Sequence, residues 1–344
     1  MKNKVLLLSL FSIFLLNNLN AQKIVALHSA SGVQFFSDDN PLLSAYAAAV
    51  DNDTIYLPGG SFSIPPKFEK KLRIIGAGHY PSATGATWKT ILSGNINLSD
   101  EADGFYLEGI QGVNIYFDNN ESINDVVIKR CKLNSITITG DRSAPSENCV
   151  FKENIINAMG LENLLNSSFF NNIIQNKVST ARNLTFLNNV FLYSDYYYYI
   201  FSYANNCVVK NNVFLQESDH HGVADGSGQS TYSHNIVCFT FDPNATSAFG
   251  NDPILDTNYS MLRADVLVNQ TGSAFDYSHD YHLTTAAQAN LGDDGTVVGI
   301  YGGFYPWKAE SIPTNPHISS KNISNTTSTT GTIHIDINVH AQDR

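Results

Sequence analysis

The segment Asn183-Leu-Thr-Phe-Leu-Asn-Asn189 is one copy of a pattern that recurs along the middle of the chain. Aligned on their last residues, six copies follow one another after 23, 18, 17, 23 and 23 residues. The other five are Asp125-Val-Val-Ile-Lys-Arg-Cys131, Asn148-Cys-Val-Phe-Lys-Glu-Asn154, Asn166-Ser-Ser-Phe-Phe-Asn-Asn172, Asn206-Cys-Val-Val-Lys-Asn-Asn212 and Gln229-Ser-Thr-Tyr-Ser-His-Asn235. A seventh copy, Asp103-Gly-Phe-Tyr-Leu-Glu-Gly109, precedes them by 22 residues. A period near 20 residues is typical of solenoid proteins.

Equivalent positions of these copies carry side chains of one kind. The first position is polar in every copy, and the last is mostly asparagine, at Asn154, Asn172, Asn189, Asn212 and Asn235. One apolar position holds Tyr106, Ile128, Phe151, Phe169, Phe186, Val209 and Tyr232. A second holds Leu133, Ile156, Ile174, Phe191, Phe214 and Val237. Because apolar positions alternate with polar ones, each copy has the period of a β-strand.

Stacking explains how such strands become stable. Coils stacked about 4.8 Å apart pair their strands and bury the apolar positions in one continuous core. Coils of 17–23 residues are too short for a strand–helix–strand unit of about 30 residues. We therefore predict an all-β, single-stranded right-handed parallel β-helix. Its asparagines are expected to form a hydrogen-bonded ladder and to adopt the left-handed backbone of a sharp bend.

The repeat has two alternative interpretations, and both are weaker. An asparagine-rich, low-complexity linker would match the pattern only by chance, and seven aligned copies argue against it. Leucine-rich repeats have a similar period and an asparagine ladder, but they need a Leu-x-x-Leu-x-Leu pattern. This chain lacks that pattern.

The chain resembles the right-handed parallel β-helix proteins of the pectin-lyase-like superfamily, in particular the secreted bacterial members. Besides the repeat, an amphipathic segment over Leu42–Val50 follows Asn40 and Pro41 and precedes a first strand and a glycine turn. The resemblance implies a capping helix with Asn40 as its N-cap, because an open solenoid end exposes strand edges. Segments similar to the family's closing coils lie at 251–254, 280–283 and 292–303. None of these motifs is catalytic.

The first residues have the order of a secretory signal peptide. Lys2 and Lys4 precede an almost wholly apolar run over 5–16, and Ala21 is a suitable cleavage point. We predict a signal peptide over 1–21, the β-helix over 22–317, and a linker with a C-terminal strand over 318–344. The polar linker is expected at 319–330, and the strand, at 332–340, is expected to cover the C-terminal end. The protein is then secreted, or held at the cell surface, after export through the general secretory pathway.

Charge and hydropathy exclude some partners. The formal net charge of −11 becomes −13 when Lys2 and Lys4 leave with the signal peptide, whereas nonspecific nucleic-acid binding needs clustered basic residues. Beyond the signal peptide, no apolar run approaches the roughly 20 residues of a transmembrane helix. We expect a monomer with no nucleic-acid partner and no transmembrane segment.

The four cysteines are expected to be unpaired, although exported proteins often contain disulfides. Cys149 and Cys207 share a column but lie three coils apart, about 14 Å at 4.8 Å per coil. Bonded cysteines need Cα atoms within about 7 Å. Cys131 and Cys238 fall in other columns, so we predict no disulfide.

The densest polar cluster lies in the long arm between Asn212 and Asn235, and it supplies the catalytic candidates Asp219, His220, His221 and Asp225. Asp with His performs general acid–base chemistry or binds a divalent cation, but the same residue types are ordinary in turns. The motifs of polysaccharide-cleaving members of the superfamily are echoed only at His221-Gly222, and no acidic set recurs at coil spacing. We predict no cofactor or metal site, with calcium expected only if the protein is a lyase.

Aromatic and basic residues supply the candidates for ligand binding, which are Tyr196, Tyr197, Tyr198, Tyr199, Lys152 and Lys210. On a strand, alternate tyrosines face opposite sides, and an outward pair would suit sugar rings. Stacking between coils explains the same tyrosines. The lysines share an outward column with Lys129. Such lysines could abstract a proton beside a uronate carboxylate. Alternatively, they are solubilising charges on the protein surface.

Three functions follow from these features. We favour an exported, non-catalytic β-helix protein that binds carbohydrate or serves as a cell-surface module, with a polysaccharide as its partner. The alternative is a polysaccharide lyase or glycoside hydrolase, which requires the cluster at 219–225 to meet Lys152, Lys210 or another base in one groove. A purely structural envelope protein is the third hypothesis.

Overall fold

Short parallel strands, each stacked on the one before, form the body of the molecule. The structure, a computed structural model, describes residues 23–340 except 141–142, 196, 219–220, 227 and 240–241. Over these residues the chain is an all-β parallel solenoid of about nine turns, which confirms the predicted fold class. The predicted signal peptide lies outside the described residues. None of the helices described is long and apolar enough to cross a membrane.

Two long sheets form two sides of the solenoid. The parallel strands of sheet 1 are Thr54–Tyr56, Arg73–Ile75, Tyr106–Glu108, Val127–Lys129, Val150–Lys152, Ser168–Phe170, Thr185–Leu187, Val208–Lys210, Thr231–Ser233 and Ile254–Asp256. Those of sheet 2 are Gly60–Phe62, Thr90–Leu98, Gln111–Phe117, Lys132–Thr137, Ile155–Gly160, Ile173–Ile174, Val190–Phe191, Val213–Phe214, Ile236–Val237 and Tyr259–Ser260. Consecutive coils therefore contribute neighbouring strands to each sheet.

The third side is narrower and less regular. Its strands Ala181–Arg182 and Ala204–Asn205 pair in parallel. Strand Val178–Ser179 pairs with the end of Ile155–Gly160 of sheet 2, and single bridges join Phe201 to Val178 and to Ala224. Outside the three sides lie an antiparallel pair, Leu267–Asn269 with Asp280–Leu283, and short 3-10 turns at 100–102, 246–248, 263–265, 287–289 and 309–311. The third side therefore has room for loops that leave the coil.

Buried asparagines join each coil to the next at the corner between sheet 1 and sheet 2. Asn189 Nδ2 donates to the carbonyl of Phe169 at 2.9 Å and to Asn212 Oδ1 at 3.0 Å. Asn189 Oδ1 accepts the backbone N–H of Asn172 at 2.9 Å. Equivalent bonds link the buried side chains of Asn154, Asn172, Asn189, Asn212, Asn235 and Asn258. The predicted ladder is confirmed, and it has one more member than the aligned copies show.

The sharp bend beside the ladder is made by the residue before each asparagine. Asn171, Asn188 and Asn211 have φ angles of 53°, 57° and 58°, and the ladder asparagines themselves do not have positive φ. The predicted left-handed conformation of the ladder residues is therefore wrong. A left-handed residue turns the chain so that the next side chain points into the corner, where backbone groups outside the sheets need partners.

The apolar columns are confirmed with one shift of register. Phe169 stacks on Phe151 and on Phe186, with ring centroids 4.7 and 4.9 Å apart. In the earliest copy, however, Leu107 pairs with Ile128, so the placement of Tyr106 in the inward column is wrong. The reason is that a glycine, Gly104 with φ 78°, makes the bend that Asp125 makes one coil later.

A helix and an antiparallel hairpin close the N-terminal end. Helix α1 spans Pro41–Ala48 and buries Pro41, Leu42 and Ala45. Strand Val25–Ser29 pairs with both Gly32–Phe36 and the first strand of sheet 1. A cap exists as predicted, and Asn40 is the N-cap residue, but its side chain makes no capping hydrogen bond. Pro41 at the first helical position supplies a preset φ and lacks an N–H that needs a cap.

The C-terminal residues form a hairpin, with strand His317–Ile323 antiparallel to strand Ile335–His340. The predicted linker at 319–330 is therefore partly a strand, because a lone final strand would leave its backbone groups unpaired. Every residue of the second strand is exposed. This strand consequently does not cover the end of the solenoid as we expected.

A second apolar core covers the outside of sheet 2. The outward column of that sheet is buried and consists of Ile155, Ile173, Val190, Val213 and Ile236. Side chains of the segment after the last coil pack on it, among them Val266, Phe275, Tyr281, Val298 and Trp307. From Ile155 onward, both faces of sheet 2 are therefore apolar, as is typical of parallel sheets that are covered on both sides.

Replacing a ladder asparagine should destabilise the solenoid strongly. Asn189→Leu removes the bonds that its amide makes to the Phe169 carbonyl and the Asn172 N–H in the buried corner, and a buried polar group left unpaired costs about 1–3 kcal/mol. We expect a loss of about 2–4 kcal/mol in the free energy of unfolding, measured by urea denaturation. The exposed Asn120 is the control, and an equal effect of Asn120→Ala would contradict the ladder's role.

The cysteines should react only after unfolding. All four are buried and free in the structure, and burial raises the pKa of Cys207 to about 11 and that of Cys131 to about 12. Because the thiolate is the reactive form, the native protein should show almost no reaction with a thiol reagent at pH 8. The denatured, unreduced chain should show four reactive thiols. A count of two or none would demonstrate disulfides.

Candidate ligand-binding site

The tyrosine segment leaves the coil as a loop on the third side. No strand covers residues 192–200 among those described, so the predicted strand with alternating tyrosines is wrong. The Asp195 carboxylate accepts the backbone N–H of Tyr197 at 2.8 Å, which fixes a tight turn. From the next coil, Gln216 Nε2 donates to the carbonyls of Asp195 and Tyr198 at 2.9 and 2.6 Å. A turn and a buried amide thus hold the loop.

Three tyrosine rings are exposed on this side. Neighbouring residues Tyr197 and Tyr198 are 72% and 54% exposed, and Tyr203, just before strand Ala204–Asn205, is 54% exposed. The ammonium of Lys177, one coil earlier, lies 4.7 Å from the ring centre of Tyr198, a cation–π contact. Both adjacent tyrosines face outward because the loop lacks the side-to-side alternation of a strand.

Tyr199 connects this surface to the other candidate cluster. Its ring packs edge-on against His221, with centroids 4.7 Å apart. Burial, and then the nearby Asp225 carboxylate, raises the pKa of Tyr199. The backbone N–H of His221 donates to Ser218 Oγ at 3.0 Å, and no described residue bonds the buried Nδ1 of His221. The structure therefore brings Tyr199 together with His221 and Asp225, and Tyr197 and Tyr198 precede Tyr199 in the same loop.

Three predicted site residues, Tyr196, Asp219 and His220, lie outside the described residues. Of the catalytic candidates, the structure describes only His221 and Asp225. Asp225 is exposed, and His221 is half-buried.

A long segment at 292–316, which we call the strap, covers the corner where the ladder lies. It runs back along the solenoid from later coils to earlier ones. The left-handed corner residues hold its backbone or side chains in sequence, through Asn211 with Asp293, Asn188 with Val297, Asn171 with Ile300 and Gly302, and Arg130 with Ile312. The corner residues that make the bends therefore also bind the strap.

The strap engages both candidate lysines. Lys210 Nζ lies 2.9 Å from Asp293, and Lys152 Nζ lies 4.2 Å from the ring centre of Tyr305. Burial lowers the pKa of Lys152. Both lysines end strands of sheet 1, whereas His221 and Asp225 lie on the third side. The structure does not bring the lysines to the tyrosine loop.

A buried ionic cluster lies where the outward column of Lys129 and Lys152 meets the corner, and Lys129 belongs to it through Glu108 at 3.4 Å, so Lys129 is not a surface charge. Arg130 Nε lies 2.6 Å from Glu153, and Arg130 Nη1 lies 3.5 Å from Glu108 and 2.8 Å from the strap carbonyl of Ile312. Glu108 also accepts bonds from Thr314 at 2.9 Å. The sequence carries a signal for this cluster, because Arg130 and Glu153 occupy the same repeat position in adjacent coils.

Acidic residues gather at one further place. Oxygens of Asp100, Glu101 and Glu121 lie within 4.8 Å of one another. Lys67 Nζ is 3.4 Å from Glu121, and Ser99 Oγ donates to Glu101 at 2.5 Å. These residues belong to early coils, so they supply no calcium ligand to the tyrosine loop.

Comparison with known proteins adds no relative to this picture. No protein-family model matches the chain, and neither the curated proteins nor the solved structures give a match.

Arg130 should be essential for the attachment of the strap. Removing one partner of a buried ion pair typically costs about 3–5 kcal/mol. Arg130→Ala leaves Glu153 buried without its cation and leaves Glu108 with Lys129 alone, at 3.4 Å. We expect a loss of that size in unfolding free energy and cleavage within the strap during limited proteolysis. Lys210→Ala is the control, since a partly exposed pair is worth about 0–1 kcal/mol. Equal effects of the two variants would contradict this account.

Proposed function

We propose that the chain is an exported, non-catalytic β-helix protein that binds carbohydrate through the tyrosine loop. The observation that carries this proposal is the group of exposed rings of Tyr197, Tyr198 and Tyr203, which one coil presents on the third side. Exposed aromatic faces bury apolar surface at little conformational cost, and sugar rings have apolar faces that fit them. Export is proposed from the signal-peptide pattern at 1–21.

Loop placement supports a binding role. The Gln216 amide and the Asp195 turn fix the backbone beneath the rings, so little order must be gained when a ligand arrives. Asp225, Lys177 and the tyrosine hydroxyls lie beside the rings and offer hydrogen bonds to sugar hydroxyls. The tyrosine surface lies on a loop that leaves the coil, so a polysaccharide can reach it.

The positions of the lysines argue against the enzyme hypothesis. A lyase or hydrolase of that design needs a base such as Lys152 or Lys210 beside the polar cluster at 219–225. Both lysines extend from sheet 1 and contact the strap instead. The polar groups described near the rings, His221 and Asp225, lie on a different side of the solenoid from that column.

A glycan screen tests the proposal. Purified protein should bind at least one soluble polysaccharide, and Tyr197→Ala with Tyr198→Ala should weaken binding at least tenfold, about 1.4 kcal/mol, because the platform loses two rings. Isothermal titration or affinity electrophoresis measures the change. Phe304→Ala is the control, since Phe304 on the strap is an even more accessible ring, 87% exposed. Unchanged binding in the double variant would refute the tyrosine platform.

The same screen should be read for cleavage. New reducing ends, or absorbance of an unsaturated uronate, would contradict the non-catalytic proposal, and loss of that activity in His221→Ala would assign it to the cluster. If no glycan binds and none is cleaved, the purely structural hypothesis is favoured.

A further inference from the structure

Trp88 is an exposed aromatic residue in a backbone conformation that such residues rarely adopt. It lies in the loop at 79–89, which leaves sheet 1 after Arg73–Ile75 and enters sheet 2 at Thr90. Its side chain is 70% exposed, and its φ is 69°. The left-handed region is unfavourable for a bulky side chain. Strain of this kind persists where surrounding contacts impose it, and it concentrates at functional sites.

The contacts that impose this conformation are backbone contacts. Trp88 N donates to the carbonyl of Thr84 at 2.7 Å, and the Lys89 carbonyl accepts Gly60 N at 2.9 Å. A side chain at Gly59 would lie 1.9 and 2.2 Å from the carbonyl oxygens of Thr87 and Trp88, so only glycine permits this approach. The backbone that carries the indole is therefore fixed before any ligand arrives.

A surface pocket of about 210 Å³ lies against the indole. It is lined by Pro81, Thr84, Gly85, Trp88 and Lys89. A cavity of about 150 Å³ holds a benzene molecule. The pocket at Trp88 thus has room for one substituted ring.

The charge beside the pocket is positive, in a chain of formal net charge −11. Among the described residues, the Lys89 ammonium has no hydrogen bond and no acidic partner. The nearby Lys132 packs over the rings of Tyr277 and Phe275, with distances of 4.6 and 5.3 Å. Burial, followed by the charges of Lys132 and Lys89, lowers the pKa of His79 to about 3. His79 is therefore neutral, and the local charge comes from Lys89 and Lys132. Asp276 is the acidic residue near Lys132.

We propose that this pocket binds a ring-bearing organic anion, whose ring stacks on Trp88 and whose anionic group pairs with Lys89. An aromatic face attracts apolar ring surface, and an unpaired lysine attracts an anion without demanding a planar partner. A sugar acid and an aromatic acid share this chemistry. The site is separate from the tyrosine loop, and it stands whether or not that loop binds carbohydrate.

Tryptophan fluorescence tests the proposal directly. The chain contains two tryptophans, and Trp307 is buried at 6% exposure, so a small polar ligand changes mainly the emission of Trp88. Glucuronate and benzoate are the probes for the two ligand sources, and glucose and inorganic sulfate are the controls. We expect a saturable change with at least one ring acid and none with glucose or sulfate. No change with either acid, or an equal change with glucose or sulfate, would overturn the proposal.

Variants separate binding from folding. Trp88→Gly should abolish binding measured by calorimetry while leaving the melting temperature unchanged or higher, because glycine adopts this φ without strain. Lys89→Ala should weaken binding at least tenfold, whereas Lys321→Ala, an exposed lysine on the C-terminal hairpin, should not. Full binding by either Trp88→Gly or Lys89→Ala would overturn the assignment. Full binding by the double variant Tyr197→Ala, Tyr198→Ala is expected, since the two sites are independent.

Discussion

The amide ladder at the corner between sheet 1 and sheet 2 is the constraint on which the rest of the structure depends. Each coil must leave one sheet and enter the next, and there the backbone cannot pair strand to strand. The asparagine side chain solves this because its nitrogen and its oxygen serve both neighbouring coils, as at Asn189. An unpaired buried backbone group is costly. The ladder therefore fixes the register of the coils as well as their stability.

The outer surface of that corner follows from the same bend. The left-handed residue before each ladder asparagine presents its side chain outward, and those side chains hold the strap. At Arg130 the outward group is a guanidinium between two carboxylates and a strap carbonyl. The two sides of this corner thus make different contacts. The inner amides join the coils, and the outer side chains bind the strap.

Coil residues are committed to packing, so the surfaces available for ligands lie on excursions from the coil. The tyrosine loop leaves the third side, and the loop of Trp88 leaves the path between sheet 1 and sheet 2. Each is held by hydrogen bonds to its neighbours, through Gln216 in one case and Gly60 in the other. Solenoids commonly carry function on such loops because a regular coil tolerates them without loss of register.

The sequence by itself determined the solenoid, because a core that repeats in every coil requires a repeated pattern of residues. That pattern predicted the asparagine position and both inward apolar columns, except for the shift of one residue at Tyr106. A signal for the second core was also present. Val190, Phe191 and Leu192 are apolar in succession, as a strand buried on both faces requires. Only the tertiary structure decided which segment covers that face, why Lys152 and Lys210 are separated from His221 and Asp225, and that Trp88 adjoins a pocket. These features depend on contacts between residues that no repeat relates, such as Arg130 with Ile312, and periodicity carries no information about them.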